Sequence, residues 1–265
     1  MTRAVGSMPG SCPGRFIEDM TWPEVAEAFK ADAPVIVPVG AIAKEHGHHL
    51  PMKTDWLLAR ALADGIAIKL PVLIAPIVPF GYYPVFQSYP GSQHLSADTF
   101  VRLLTELLER LLDQGARRIA LLNTGVSTEG PIGLVTRGIL ERRGVRIGIA
   151  DYRRLGRAAD HLVEQQTGSH ADERETSILL AIAPEVVRIE LAKRDFGMDP
   201  TPGVFMTPTT MQSMDPRGAD YSETGGFGDP TLATADKGRA FLDAMINDLV
   251  DGLAALFPDL PRRVP

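Results

Sequence analysis

The chain has 265 residues, 45% of them hydrophobic, and one cysteine, Cys12. That is enough apolar material for one large domain, and a single cysteine excludes an intrachain disulfide framework. The net charge of −6 comes from 33 acidic and 27 basic residues mixed along the sequence. It leaves no basic stripe for nucleic acid or a membrane surface, so the expected partner is a small molecule. No apolar run approaches the roughly 18 residues of a membrane span. Residues 1–19 read as a flexible leader without a signal-peptide core, and a cytoplasmic setting is expected.

The first helix is expected at Trp22–Lys30, with Thr21 as N-cap and Pro23 in its first turn. Residues 34–39 are apolar on both faces and end at Gly40, the pattern of a buried parallel strand. A helix at Thr54–Lys69 and an apolar strand over 72–78 follow. Ser96 caps the next helix, whose apolar face is expected to hold Phe100, Leu103, Leu104, Leu107, Leu111 and Leu112, with Gly115 as its stop. Then come a strand over 118–123, a helix over 131–143, a strand over 145–150, helices over 153–166 and 174–182, and a long helix at Ala235–Leu256.

Apolar strands alternating with amphipathic helices imply a three-layer α/β/α fold with a mostly parallel sheet, formed by residues 20–265. Ligands of such sheets bind beyond the carboxyl ends of the strands. The stretch after the first strand, the Asn123 loop and Asp151 all follow strand ends, so they are expected to share one cleft. The Pro/Gly/Thr-rich stretch 199–230 is long for a connection and reads as a lid or a subunit contact.

Three of the six histidines, with Glu45 and Asp55, lie between positions 45 and 55. Imidazole and carboxylate groups at this density suit Zn²⁺ or Mn²⁺. The competing reading is a polar loop whose histidines bond only to backbone. Outside that stretch, His161 reads as a surface residue, Glu129 as a complement to a helix dipole, Tyr82, Tyr83 and Phe86 as wall or packing, and Asp151 as either a substrate contact or a turn. Ser127 lacks a nucleophile-elbow pattern, which excludes that serine-hydrolase design.

The run Glu45-His46-Gly47-His48-His49-Leu50-Pro51, followed by Thr54-Asp55, resembles the creatininase (creatinine amidohydrolase) family pattern E-Q-H-G-x-H-L-P-x-x-T-D. The run His170-Ala171-Asp172-Glu173-Arg174-Glu175-Thr176-Ser177 is similar to the family's H-A-G-E-x-E-T-S. Gly228-Asp229-Pro230 through Gly238 and Tyr89-Pro90-Gly91-Ser92 echo two further motifs.

The resemblance implies a metal-dependent hydrolase of a C–N bond in a small cyclic or linear amide, holding one or two Zn²⁺ or Mn²⁺ ions and forming a homo-oligomer, a hexamer by family habit. It also implies roles: Asp55 bridging metals, His46 and Glu173 on one ion, Glu45 on the other, and His170 as proton carrier with Glu175 nearby. A peptidase or deformylase of the same family, or a member that binds a ligand without catalysis, are the alternatives. Two positions depart from the pattern. Lys44 stands where the family has its glutamate, two residues before the histidine, and the loop Asn123-Thr124-Gly125-Val126-Ser127-Thr128 lacks the family's histidine. His94, in a polar loop after the second strand, is expected to fill that histidine's place, with Glu129 as its competitor.

Overall fold

Val35, Ile36, Val37 and Val39 of the strand β2 (Val35–Val39) are all buried, but they face opposite ways. Val35, Val37 and Val39 join one apolar cluster and Ile36 the other. The strand β4 (Ile119–Asn123) repeats the division, with Ile119 and Leu121 on the first side and Ala120 and Leu122 on the second. Period-two side chains that are apolar on both faces require a covering layer on each. The computed structural model describes residues 13–197 and 221–261 and shows both layers.

The sheet runs β1 (Arg15–Phe16), β3 (Leu73–Ile74), β2, β4, β5 (Gly148–Asp151), with every pairing parallel. Val35 is opposite Ile119 and Val39 opposite Asn123, so β2 and β4 end level. The helices α1 (Trp22–Lys30), α3 (Ala97–Asp113) and α4 (Glu129–Arg143) cover one face through Phe29, Phe100, Leu104, Leu108, Ile132 and Ile139. The other face packs against α2 (Thr54–Lys69), α5 (Glu173–Ile182) and α6 (Ala235–Leu256) through Leu62, Ile66, Ile178, Phe241 and Met245. This is the three-layer α/β/α fold. Among the described residues, no helix is long and apolar enough to cross a membrane.

Four local features differ from expectation. Arg15–Phe16, inside the stretch read as a leader, pairs with β3 as an edge strand. The strand expected over 72–78 keeps regular pairing only at Leu73–Ile74, because Pro76 has no N–H to donate; a single bridge from Val39 to Val78 resumes it. No α-helix forms over 153–166. The chain turns there at Gly156, with φ +70°, and the flanks are 3-10 segments, Tyr152–Arg154 and Arg157–Leu162. On α3 the buried line is Phe100, Leu104 and Leu108, whereas Leu103 and Leu107 are exposed by 37% and 42%. That stripe is narrower than expected and its centre is shifted.

α5 and α6 approach closely enough that a Cβ on Gly238 would sit inside van der Waals contact of the Ser177 carbonyl. Ser177 Oγ accepts from the Thr234 N–H at 3.1 Å just before α6, and Lys237 Nζ reaches back to Glu173 at 2.6 Å. Of the stretch 199–230, positions 199–220 lie outside the described residues. Its last part crosses the sheet's carboxyl edge, where Phe227 bridges His170 and Tyr89 OH donates to the Ser222 carbonyl at 3.1 Å.

Candidate active site

Three strand ends are tied together before any chemistry is placed. Thr124 donates its N–H to the Val39 carbonyl at 3.0 Å and its hydroxyl to the Asp55 carbonyl at 3.0 Å, fixing β4 to both β2 and the start of α2. Asn123 Nδ2 donates to Asp151 Oδ1 at 3.1 Å, adding the end of β5. Asp151 therefore serves the scaffold of the cleft.

Asp55, in the first turn of α2, is fully enclosed. Its Oδ2 accepts from Lys44 Nζ at 2.7 Å and its Oδ1 lies 3.0 Å from His46 Nε2. Burial pushes the carboxyl up, but the Lys44 ammonium and the His46 ring outweigh it and hold Asp55 well below the usual range. His46 Nδ1 is 2.9 Å from the Lys44 carbonyl, so both ring nitrogens have partners.

Glu45 faces the other way, with Oε2 3.0 Å from His170 Nε2 and Oε1 accepting from the Gly47 N–H. Burial raises this carboxyl, while His170, His46 and the Gly47 N–H lower it further, leaving it below the carboxylate norm. His170 is buried, which lowers its pKa, yet the Glu45 carboxylate beside it leaves it raised. Its Nδ1 lies 3.7 Å from Glu175 Oε2, and its ring is 4.8 Å from the His46 ring and 4.4 Å from Phe86 by centroids.

His46, His170 and Glu175 each place one potential ligand atom within 4.8 Å of the others'. All three are buried. Two imidazoles and a carboxylate are a donor set for one Zn²⁺ or Mn²⁺, with room for a further ligand. Above them lies a cleft of about 310 Å³, lined by Lys44, Phe86, Thr124, Arg153, His170 and Glu175 among others.

Of the five expected ligands His46 alone is in this group; Glu45 and Asp55 contact its histidines, and Glu173 and His94 are engaged elsewhere. Glu173 is fully buried, but its carboxylate accepts from the backbone N–H groups of Glu164 and Gln165 at 2.9 and 2.8 Å and from Lys237 Nζ. It ties α5 to α6. Residues two apart on a helix point about 200° away from each other, so only one of Glu173 and Glu175 can face the cleft, and it is Glu175. His94 lies outside the three-residue group; its Nδ1 donates to the Leu95 carbonyl at 3.0 Å and its ring packs near Tyr82 and Tyr83. Glu129 is paired with Arg153 and His161 is exposed. Lys44 is a cleft residue whose part the motif reading missed, whereas Phe86 lines the cleft wall as expected. The signal for Lys44 was its place in the motif, a cation where a carboxylate is usual.

Of the histidine run, His48 is exposed, whereas His49 is buried with Nε2 2.8 Å from Thr176 Oγ1. Burial, helped by the neighbouring His46 charge, lowers the His49 pKa from 6.5 to about 4. The unfolded chain then binds more protons between those values, so the stability His49 contributes is present above pH 6.5 and lost as pH falls toward 4. An NMR titration is expected to place the His49 midpoint near 4. A midpoint near that of a free histidine would show that the ring is not sequestered.

A buried histidine–carboxylate centre under a cleft at the carboxyl ends of a parallel sheet defines an enzyme of the three-layer α/β class. A family model described as "Creatininase: Creatinine amidohydrolase" matches residues 18–253. The chain belongs to the creatininase family and is a hydrolase of that family.

A creatinine amidohydrolase of Pseudomonas putida is 27% identical over 264 residues, spanning 92% of this chain and 97% of its own. A mycofactocin precursor peptide peptidase of Mycobacterium tuberculosis (strain CDC 1551 / Oshkosh) is 31% identical over 237 residues, 84% of this chain and 86% of its own. Two solved structures, "Creatininase Mn" and a mutant creatininase of "Zn-Zn type", match with TM-scores of 0.77 and 0.76 at 24% and 23% identity; each match covers 92% of this chain and 98% of theirs.

Proposed function

We propose that this chain hydrolyses a C–N amide bond in a small cyclic or linear amide at a metal centre held by His46, His170 and Glu175. The observation that carries the reading is the convergence of these three buried side chains within 4.8 Å beneath the cleft. Relatives named for creatinine and for a precursor peptide support the bond class. A cleft of about 310 Å³ supports a small substrate, since it lies at the low end of ligand-site volumes. A single cysteine supports a cytoplasmic setting.

A bound Zn²⁺ or Mn²⁺ supplies activation of a water and polarisation of the amide carbonyl. The chain's own residues orient the ligands. Glu45 Oε2 accepts the proton of His170 Nε2, which leaves Nδ1 on the Glu175 side and supports coordination by His170 in place of the proton-carrier role implied by the motif. Asp55 Oδ1 and the Lys44 carbonyl hold the two nitrogens of the His46 ring, so an ion bound by His46 takes the place of one of these partners. Phe86, Val85 and Val126 supply an apolar lining that excludes water from the substrate carbonyl, and Ser127 offers a hydroxyl to the cleft.

The test is a screen of small cyclic amides, linear amides and short peptides, read by release of the amine. At least one small amide is expected to be cleaved, with the rate abolished by a chelator and restored by Zn²⁺ or Mn²⁺. Cleavage indifferent to the chelator contradicts the metal centre. Cleavage of peptides alone contradicts the substrate class.

A further inference from the structure

Both oxygens of the Asp55 carboxylate are engaged. Its Oδ1 is 3.0 Å from His46 Nε2 and its Oδ2 is 2.7 Å from Lys44 Nζ. The Asp55 and Lys44 side chains are only 3% and 7% exposed, so this is a buried ion pair with little competition from water. Lys44 is fixed at both ends. Its backbone N–H donates to the Met52 carbonyl at 3.1 Å, and its ammonium lies 5.2 Å from the centroid of the Phe86 ring. A divalent ion at Asp55 Oδ2 competes with that ammonium.

The surroundings offer an ion little else. Thr124 spends its hydroxyl on the Val39 and Asp55 carbonyls, and Gly125 and Val126 have no donor atom in their side chains. Glu45 is engaged by His170 and the Gly47 N–H. Among the described residues, the group able to hold an ion contains His46, His170 and Glu175, and Asp55 is not in it.

We infer that Lys44 supplies, from within the chain, the positive charge beside Asp55, so that the centre takes one divalent ion and not two. Lys44 is then a positioning residue. It neutralises Asp55, which holds the His46 ring, while its own side chain forms part of the cleft wall. The inference rests on the metal-centre reading for its one ion and is independent of the substrate.

The test is metal content per chain after equilibration with excess Mn²⁺ or Zn²⁺ and removal of loosely bound ion, for the wild type, Lys44→Gln and Lys44→Glu, with folding checked by circular dichroism. The wild type is expected to hold one equivalent. Lys44→Glu, which exchanges the internal cation for a ligand, is expected to hold two, and Lys44→Gln to gain a second equivalent only weakly. Two equivalents in the wild type overturn the inference and leave the proposed function standing; this result needs no variant to fold. A Lys44→Glu chain that folds and gains no equivalent also overturns it. No metal in the wild type removes the metal-centre reading, and the role of Lys44 then stands if Lys44→Glu gains one equivalent and falls if it gains none.

Discussion

His170→Asn is expected to lower turnover by more than about 10²-fold and to release the bound metal. The scale follows from where the side chain sits. Loss of an outer partner of a metal ligand costs roughly 10–100-fold in affinity or activity, and His170 is proposed as a ligand itself. Glu45→Gln provides the graded comparison, because it keeps a group of the same shape beside Nε2 while losing the charge that raises the His170 pKa. Its cost is expected to fall within that 10–100-fold range, with metal retained more weakly. The sign of the pH effect is also set. Glu45 makes the ring more basic, protons compete with the ion for it, and metal affinity is expected to fall as pH falls. Equal losses in the two variants with metal content unchanged would place His170 outside the coordination shell.

Gly238→Ala is expected to destabilise the fold, although alanine is normally favoured over glycine inside a helix by about 0.8–1.0 kcal/mol. The added methyl would meet the carbonyl of Ser177, and backbone cannot yield as a side-chain tip can. Overpacking of this kind costs about 1–3 kcal/mol, and each kcal/mol lowers the midpoint by roughly 2–4 °C in a chain of this size. The strain falls on α5, the helix that carries Glu175. Gly252 lies in the same helix with nothing within 4 Å of the position a Cβ would take. Gly252→Ala is therefore expected to raise the thermal midpoint while Gly238→Ala lowers it. If both raise it, the α5–α6 contact is looser than described.

The layers and the cleft were legible because their signals are periodic or clustered. Strands apolar on both faces could only be sandwiched, and Glu45 and His46 occupy the connection that leads into α2, with Asp55 in that helix's first turn. What the sequence hid depends on direction. Glu173 and Glu175 lie in one motif, yet a helix turns by 100° per residue and sends them to opposite sides. Glu173 goes to Lys237 and Glu175 to His170. His94 is near the cleft in sequence terms, but its ring bonds the next residue's carbonyl, packs near Tyr82 and Tyr83 and lies outside the three-residue group. The α3 face was misjudged because leucines line two adjacent stripes, and only the sheet's position decides which is covered. The missing helix after β5 could have been doubted from Gly156, which takes a left-handed turn between two short 3-10 segments. Lys44 was visible as a departure from the motif, but its partner was not, because an ion pair between positions 44 and 55 requires the loop's closed geometry.

The most direct measurement is an anomalous difference map from crystals of the wild type grown with Mn²⁺ or Zn²⁺, collected at the absorption edge of that metal. One peak is predicted among His46, His170 and Glu175, with histidine nitrogens at about 2.0–2.1 Å from a zinc ion. A metal-loaded crystal with no peak at these three residues, or with its peak on other side chains, would contradict the account.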